Sequence, residues 1–117
     1  MRTLIVYEDS HRAYGEAMVS AIRTLRPGRE VALAHLRDLE AQLGGFDPHV
    51  VICGHPNTVD PGRRAAWIVL AEEPDEPSEV CLGGRRTGVS NPGLGEVLAV
   101  LDETEERLRD GRPLGGC

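Results

Sequence analysis

Residues 48–55 read Pro-His-Val-Val-Ile-Cys-Gly-His, and this stretch decides the fold class. The run Val50–Cys53 is apolar without a break, which is the pattern of a strand buried on both faces. Gly54 follows that run and carries no side chain. A second run of the same kind, Thr3–Tyr7, lies near the start of the chain, so we expect two central strands in one sheet.

The segments around these strands predict alternating strands and helices. Val31–His35 suits an outer strand, and residues 36–43 suit a two-turn helix that ends at Gly44–Gly45. The order β-α-β-α-β implies parallel strands with right-handed crossovers, in the spatial order 2-1-3. A first helix precedes the outer strand, with an apolar face at Tyr14, Ala17, Met18, Ala21, Ile22 and Leu25.

Beyond residue 54 the pattern changes. Ala65–Ala71 and Val80–Leu82 read as strands, but the link between them has only eight residues. Because a parallel crossover needs about a dozen residues, we predict an antiparallel pair, with Thr87–Ser90 as a third short strand.

A final helix over residues 92–108 is predicted to begin at an Asn91 cap and to bury an apolar face. Its acidic run, residues 102–106, is expected on the solvated side. We expect one domain over residues 1–109 and a disordered tail over residues 110–117. The apolar face consists of Leu94, Val97, Leu98 and Leu101.

Composition limits the function classes. A formal charge of −6 argues against nucleic acid or an anionic membrane as the main partner. All 13 basic residues are arginine, which excludes chemistry that depends on a lysine. The three cysteines fit no zinc or disulfide framework, and no signal peptide or membrane-length apolar run is visible. We therefore expect a cytoplasmic protein with reduced thiols.

The segments Leu-Ile-Val-Tyr-Glu-Asp (4–9) and Phe-Asp-Pro-His-Val-Val-Ile-Cys-Gly-His-Pro (46–56) resemble a response-regulator receiver domain. The resemblance covers residues 2–58 and, more loosely, 65–108. It implies an α/β, flavodoxin-like three-layer sandwich. The phospho-accepting aspartate of that family falls on Gly54, where no carboxylate is present.

The other phosphotransfer positions of the family depart in the same way. The metal-binding acid pair falls on Tyr7–Glu8 or Glu8–Asp9, the hydroxyl residue near Leu70–Ala71, and the lysine near Gly83–Gly84. The resemblance therefore implies a degenerate, phosphorylation-independent receiver-like module for signalling or protein interaction. We expect it to be non-enzymatic and to need no cofactor.

Flavodoxin is a second family that the same segments resemble, which makes a flavin- or nucleotide-binding protein the alternative. In that family the first loop holds phosphate at a helix N-terminus. Here the loop carries the carboxylates Glu8 and Asp9, which would repel phosphate.

The carboxyl edge of the sheet is the expected place for a ligand, because ligands of open α/β sheets bind there. Its polar residues could bind a divalent metal, with Glu8 and Asp9 as the candidate ligands, or perform acid–base chemistry. Alternatively Asp9 or Ser10 caps the first helix and the rest are solvated loop residues. The candidates are Glu8, Asp9, Ser10, His11, Gly54, His55, Asn57 and Thr58.

Cys53 and His55 could suggest a nucleophile pair, although a buried structural cysteine is the simpler interpretation. His35 and His49, which flank strands, are expected to be ordinary surface residues, and Trp67 is expected in a packed core or interface.

Two arginine pairs are candidates for an anion site or for docking the acidic helix of a second copy; alternatively they are solvated turns. Together with the expected strand edge they favour a homodimer. The protein partner is otherwise unidentified. The pairs are Arg63 with Arg64 and Arg85 with Arg86.

Overall fold

In a computed structural model, which describes residues 1–54, 64–71, 73 and 75–117, the chain forms a six-stranded mixed sheet with three α-helices. The strands are β1 (Arg2–Tyr7), β2 (Glu30–His35), β3 (Val50–Cys53), β4 (Ala66–Val69), β5 (Pro77–Leu82) and β6 (Arg85–Ser90). The helices are α1 (Arg12–Leu25), α2 (Leu39–Gly45) and α3 (Leu94–Arg109), with short 3₁₀ turns at Asp9–His11 and Leu36–Asp38.

The sheet has the strand order β2-β1-β3-β4-β5-β6. β1 pairs in parallel with β2 and β3, and β3 pairs in parallel with β4. β5 runs antiparallel to both β4 and β6. These pairings confirm the parallel order 2-1-3 in the first half and the antiparallel pair in the second.

The core consists of two apolar layers, one on each face of the sheet. Alternate residues of β3 divide between them: Val50 and Ile52 pack in the layer that contains α1 and α3, and Val51 and Cys53 in the layer that contains Leu39 of α2. This arrangement follows from the two-residue period of a strand and is compatible with a three-layer sandwich.

The buried face of α1 differs from the predicted one. Tyr14 and Leu25 are exposed, and the buried residues are Gly15, Met18, Val19 and Ile22. Gly15 explains the shift, because a Cβ built on it would lie 3.0 Å from Cδ1 of Leu33. The helix contacts the sheet through its glycine, a position that hydrophobicity alone does not mark.

The start of α3 also differs from expectation. The helix begins at Leu94 with Gly93 as N-cap, where the carboxylate of Glu96 accepts a hydrogen bond from the Gly93 N–H at 2.8 Å. Asn91 has a positive φ of 43° and is not the cap.

The acidic run of α3 has partners inside the chain. Asp102 accepts two hydrogen bonds from Arg26, each at 2.9 Å, and a third from Arg29 at 2.8 Å. Glu105 also pairs with Arg29, and Thr104 is buried. The run is therefore not simply a solvated face, because it joins α3 to the loop between α1 and β2.

The tail, residues 110–117, makes defined contacts instead of the predicted disorder. Leu114 is buried, and its carbonyl accepts a hydrogen bond from the N–H of Gly83 at 2.8 Å. Cys117 forms a disulfide with Cys81, which corrects the expectation of reduced thiols throughout. The sequence did not reveal this pair because its members are 36 residues apart and meet only when the chain folds.

Candidate functional site

A cleft of about 300 Å³ opens at the carboxyl edge of the parallel strands. Its apolar lining comes from the strands β1 and β3, from α1 and from the end of β4. Its polar lining comes from the loops at that edge and from the start of β5. The apolar residues include Ile5, Met18, Ile52 and Leu70, and the polar ones include Glu8, His11, Glu73, Glu76, Ser78 and Asn91.

The structure brings only part of the predicted edge cluster together. Glu8, His11 and Gly54 line the cleft. The carboxylate of Asp9 instead lies 2.8 Å from Nε2 of His35. Ser10, whose Oγ lies 2.9 Å from Nδ1 of His11, is exposed and is not part of the cleft lining. His55, Asn57 and Thr58 lie outside the described residues.

One interpretation of the sequence expected Asp9 or Ser10 to cap α1, and neither of them does. Asp9 and Ser10 belong to the 3₁₀ turn Asp9–His11, and the N-cap position of α1 is occupied by His11. Because Asp9 and Ser10 are part of this turn, they do not stand at the position directly before α1, where a capping residue would be.

Gly54 is exposed at the mouth of the cleft. Among the described residues, a Cβ built on it would meet only the carbonyl oxygen of Leu70, at 3.9 Å, which is ordinary van der Waals contact. The described residues therefore leave room for a side chain at this position.

The structure places no metal cluster at the cleft: among residues 1–54, 64–71, 73 and 75–117, no group of three or more His, Cys, Asp and Glu side chains could hold a metal. Glu8 and Asp9 are neighbours in sequence, but only Glu8 lines the cleft. Cys53 is not in a disulfide and is buried within the α2-side layer, as the structural interpretation of this cysteine expects.

The arginine candidates do not converge on the cleft. Arg64 pairs with Asp47, a carboxylate that Arg2 also contacts. Arg85 and Arg86 begin β6, where Nε of Arg86 lies 3.9 Å from Glu79. Arg63 lies outside the described residues.

Two histidines expected at the surface have defined roles. Nδ1 of His49 accepts a hydrogen bond from the N–H of Arg2 at 2.9 Å. Burial, and then the positive charge of Arg2, lower the pKa of His49 below its ordinary value, so the ring is neutral at pH 7. His35 packs edge-on against Tyr7, with 5.3 Å between ring centroids, in addition to its bond with Asp9.

Several residues of the cleft gave no signal in the sequence. Ser78 accepts a hydrogen bond from the N–H of Ala71 at 2.9 Å, and this bond holds the start of β5 against the end of β4. Glu73 and Glu76 lie in the eight-residue link, whose course depends on that antiparallel pairing. Only the strand topology could have placed these side chains beside Glu8.

No helix in the described part of the chain is long and apolar enough to cross a membrane.

Comparison with known proteins yields a partial similarity to a curated enzyme. No family model and no solved structure matches the chain. Over 87 residues, 74% of its length, the chain is 32% identical to a succinyl-diaminopimelate desuccinylase from a Bradyrhizobium species. The chain spans only 22% of the length of that relative, and the similarity therefore does not assign it to a family.

Proposed function

We propose that the chain is a non-enzymatic, phosphorylation-independent receiver-like module that acts in signalling by binding a protein partner. The observation that carries this proposal is Gly54, an exposed glycine that follows a central parallel strand at the place where the receiver family has its acceptor aspartate. The strand order 2-1-3 supports the family framework, and the flavodoxin-like description of the whole sheet is part of the proposal.

The other phosphotransfer positions of the family also lack their usual groups in this sequence. The positions that correspond to the hydroxyl residue and the lysine fall near Leu70–Ala71 and Gly83–Gly84, and the chain has no lysine. Glu8, Glu73 and Glu76 line the same cleft as Gly54, and their negative charge would disfavour a phosphoryl group there.

The test is labelling by acetyl phosphate with Mg²⁺, followed by intact mass spectrometry. We expect no phosphoryl gain on the wild-type chain or on Gly54→Asp, with Gly54→Asn as the matched control and an active receiver domain as the positive control. Since the described residues leave room for a Cβ at this position, we expect Gly54→Asp to fold, and a failure of the folded variant to label would report on the missing partner groups. Phosphorylation of the wild type at Glu8 or Asp9, or robust labelling of Gly54→Asp, would contradict the proposal.

For the partner, we propose a second copy of the chain that pairs through β6. This strand lies at the edge of the sheet and is exposed along most of its length. An uncovered edge strand invites pairing. In an antiparallel two-fold pairing centred on Thr87, Arg86 would face Gly88 of the other copy and Arg85 would face Val89, so no like charges would oppose each other.

This pairing makes a charge-dependent prediction for Val89. Val89→Lys would put a cation opposite Arg85 at both ends of the interface and should shift a dimer toward the 12.7 kDa monomer. Val89→Glu, the matched control, would put an anion there and should retain the dimer. Light scattering at micromolar concentration is the measurement. A wild-type mass of 12.7 kDa at all concentrations would exclude the homodimer without bearing on the phosphotransfer test.

The second candidate function is the binding of a small ligand, and the cleft favours it. Its volume of about 300 Å³ is at the lower end of the range for small-molecule sites, and its lining combines an apolar floor with a polar rim. Because Glu73 and Glu76 are on that rim, we expect uncharged ligands to bind better than phosphorylated ones.

Paired ligands test this candidate. Riboflavin and adenosine should bind more tightly than flavin mononucleotide and adenosine monophosphate, as measured by fluorescence quenching or calorimetry. Glu76→Gln should reduce the difference in affinity between the uncharged and the phosphorylated ligands. Glu40→Gln, on the exposed surface of α2, should leave that difference unchanged. If none of the four ligands binds, flavin and nucleotide are excluded as ligands of the cleft.

A further inference from the structure

The disulfide between Cys81 and Cys117 fastens the tail to β5. The Cα atoms of the two cysteines are 6.0 Å apart, within the ordinary range for such a bond. The tail is also held by the hydrogen bond from Gly83 to the carbonyl of Leu114 and by the burial of the Leu114 side chain. Three contacts therefore lie close together at the end of β5.

The bond lies beside the single tryptophan of the chain. Cys81 is the cross-strand partner of Trp67, and both side chains belong to the α2-side layer. Side chains in such a pair are neighbours, with Cβ atoms about 5 Å apart. Trp67 is buried, and its indole N–H has no hydrogen-bond partner within the described part of the chain. The indole is thus placed to report on the state of the bond.

The tail is not part of either core layer. The residues that form the two layers come from the strands, the helices and the segments between them, and none comes from residues 110–117. Leu114 is buried outside both layers. Losing the tail should therefore leave the packing of the sheet in place.

We propose that Cys81–Cys117 is a thiol–disulfide exchange site, with small or protein dithiols as its reductants, and that it works as a latch for the tail. Cys117 is exposed and Cys81 is half-buried, so the sulfur of Cys117 is the accessible point of attack. This inference is independent of the proposed signalling function.

The exchange proceeds in two steps. A thiolate of the dithiol attacks Sγ of Cys117, the bond to Cys81 breaks, and Cys81 leaves as a thiolate. The second thiol of the reductant then attacks the mixed disulfide at the reductant's own sulfur, which releases the Cys117 thiolate and closes the reductant to a cyclic disulfide. The two protons of the dithiol end on Cys81 and Cys117. The protein disulfide is reduced and the dithiol is oxidised.

The test compares the oxidised protein with the same protein reduced by dithiothreitol. Amide hydrogen exchange by NMR should become about 10-fold faster or more at Gly83, whose N–H loses its acceptor, while the amides of β1 and β3 are unchanged. Emission from Trp67 should rise as the neighbouring disulfide, a quencher of excited indole, is removed. Cys117→Ser should reproduce the reduced state and should not respond to dithiothreitol.

The alternatives give different results. Thiol counting after unfolding should find one thiol before reduction and three after it, because the chain has three cysteines. If three are present at the start in air, the bond does not form and the proposal is wrong. If reduction leaves the amide exchange rate of Gly83 unchanged, the bond does not hold the tail in place and the proposal is wrong. If reduction accelerates exchange in β1 and β3 as much as at Gly83, the bond stabilises the whole fold rather than the tail, and the proposal is also wrong. Cys81→Ser is a second variant that must agree with Cys117→Ser.

Discussion

The two halves of the sheet differ in how they are covered. In the parallel half, β2-β1-β3-β4, all four residues of β3 are buried, and helices lie on both faces. In the antiparallel half, most residues of β6 are exposed. An unbroken run of apolar residues therefore indicates a strand that is covered on both faces. A run that mixes polar and apolar residues indicates a strand whose packing requires parts of the chain distant in sequence.

Those distant parts are α3 and the tail. Leu82 of β5 packs in the same layer as Val97, Leu98 and Leu101 of α3, and the tail is bonded to Cys81. The parallel half also packs against α3, but it has in addition many contacts between successive elements, such as α1 with β1 and β2. Substitutions at matched positions should therefore affect the two halves unequally.

The largest expected difference concerns the same substitution in β3 and β6. Val50→Ala removes two methyl groups from a fully buried position and should lower the free energy of unfolding by about 2–3 kcal/mol. Val89→Ala, at a half-buried position of the edge strand, should lower it by no more than about 1 kcal/mol. Urea denaturation followed by circular dichroism measures both. Equal costs would mean that the edge strand is covered in solution, as the proposed dimer requires, so the experiment is best done on a monomeric variant.

The two glycines Gly15 and Gly88 give the next contrast. Gly15→Val should destabilise by about 2 kcal/mol, because even a Cβ there would lie 3.0 Å from Leu33 and the branched side chain would overpack the contact between α1 and the sheet. Gly88→Val should stabilise by up to about 1 kcal/mol, because none of the described residues lies within 4 Å of its Cβ position and valine suits a strand. Thermal unfolding of both variants would show the opposite signs. A stabilising Gly15→Val would mean that α1 can move away from the sheet at little cost.

The smallest expected effect concerns the arginine–carboxylate network that joins α3 to the loop before β2. The hydrogen bond from Arg26, with help from Arg29, lowers the pKa of Asp102 to about 2, and the hydrogen bond from Arg29 lowers the pKa of Glu105. Since 44% of the Asp102 side chain is exposed, solvent screening limits its contribution to about 1 kcal/mol.

The direction of the pH dependence follows from these lowered pKa values. Asp102 has a folded pKa below its ordinary 3.8, so its stabilising contribution is complete above that pH and is lost as the pH falls toward 2. Asp102→Asn should cost about 1 kcal/mol at pH 7, and the difference from wild type should vanish near pH 2. Glu103→Gln is the matched control, since its carboxylate lies 3.9 Å from Arg107, and it should cost less than about 0.5 kcal/mol. A pH-independent effect of Asp102→Asn would show that packing rather than charge accounts for the cost.

Much of the parallel half was predictable, and the reasons are local. The run Val50–Cys53 and the strand before α1 were identified within a residue of their observed bounds, because a strand buried on both faces needs an apolar residue at every position. The antiparallel pairing of β4 and β5 was also predictable, because the link between them is too short for a parallel crossover. The carboxyl-edge cluster was only partly right, since Glu8, His11 and Gly54 share the cleft while Asp9 pairs with His35.

The sequence by itself determined the mixed α/β sheet, the parallel order 2-1-3 and the glycine at the end of β3, since these depend on short-range patterns of apolar residues and on chain length. Only the tertiary structure decided which face of α1 is buried, that Asp102 and Glu105 are paired with Arg26 and Arg29, and that Cys117 meets Cys81. Each of these joins groups that are far apart in sequence or depends on the fit of one side chain against another element. Periodicity and composition carry no information about such pairs, because they are fixed only when the whole sheet has brought its two halves together.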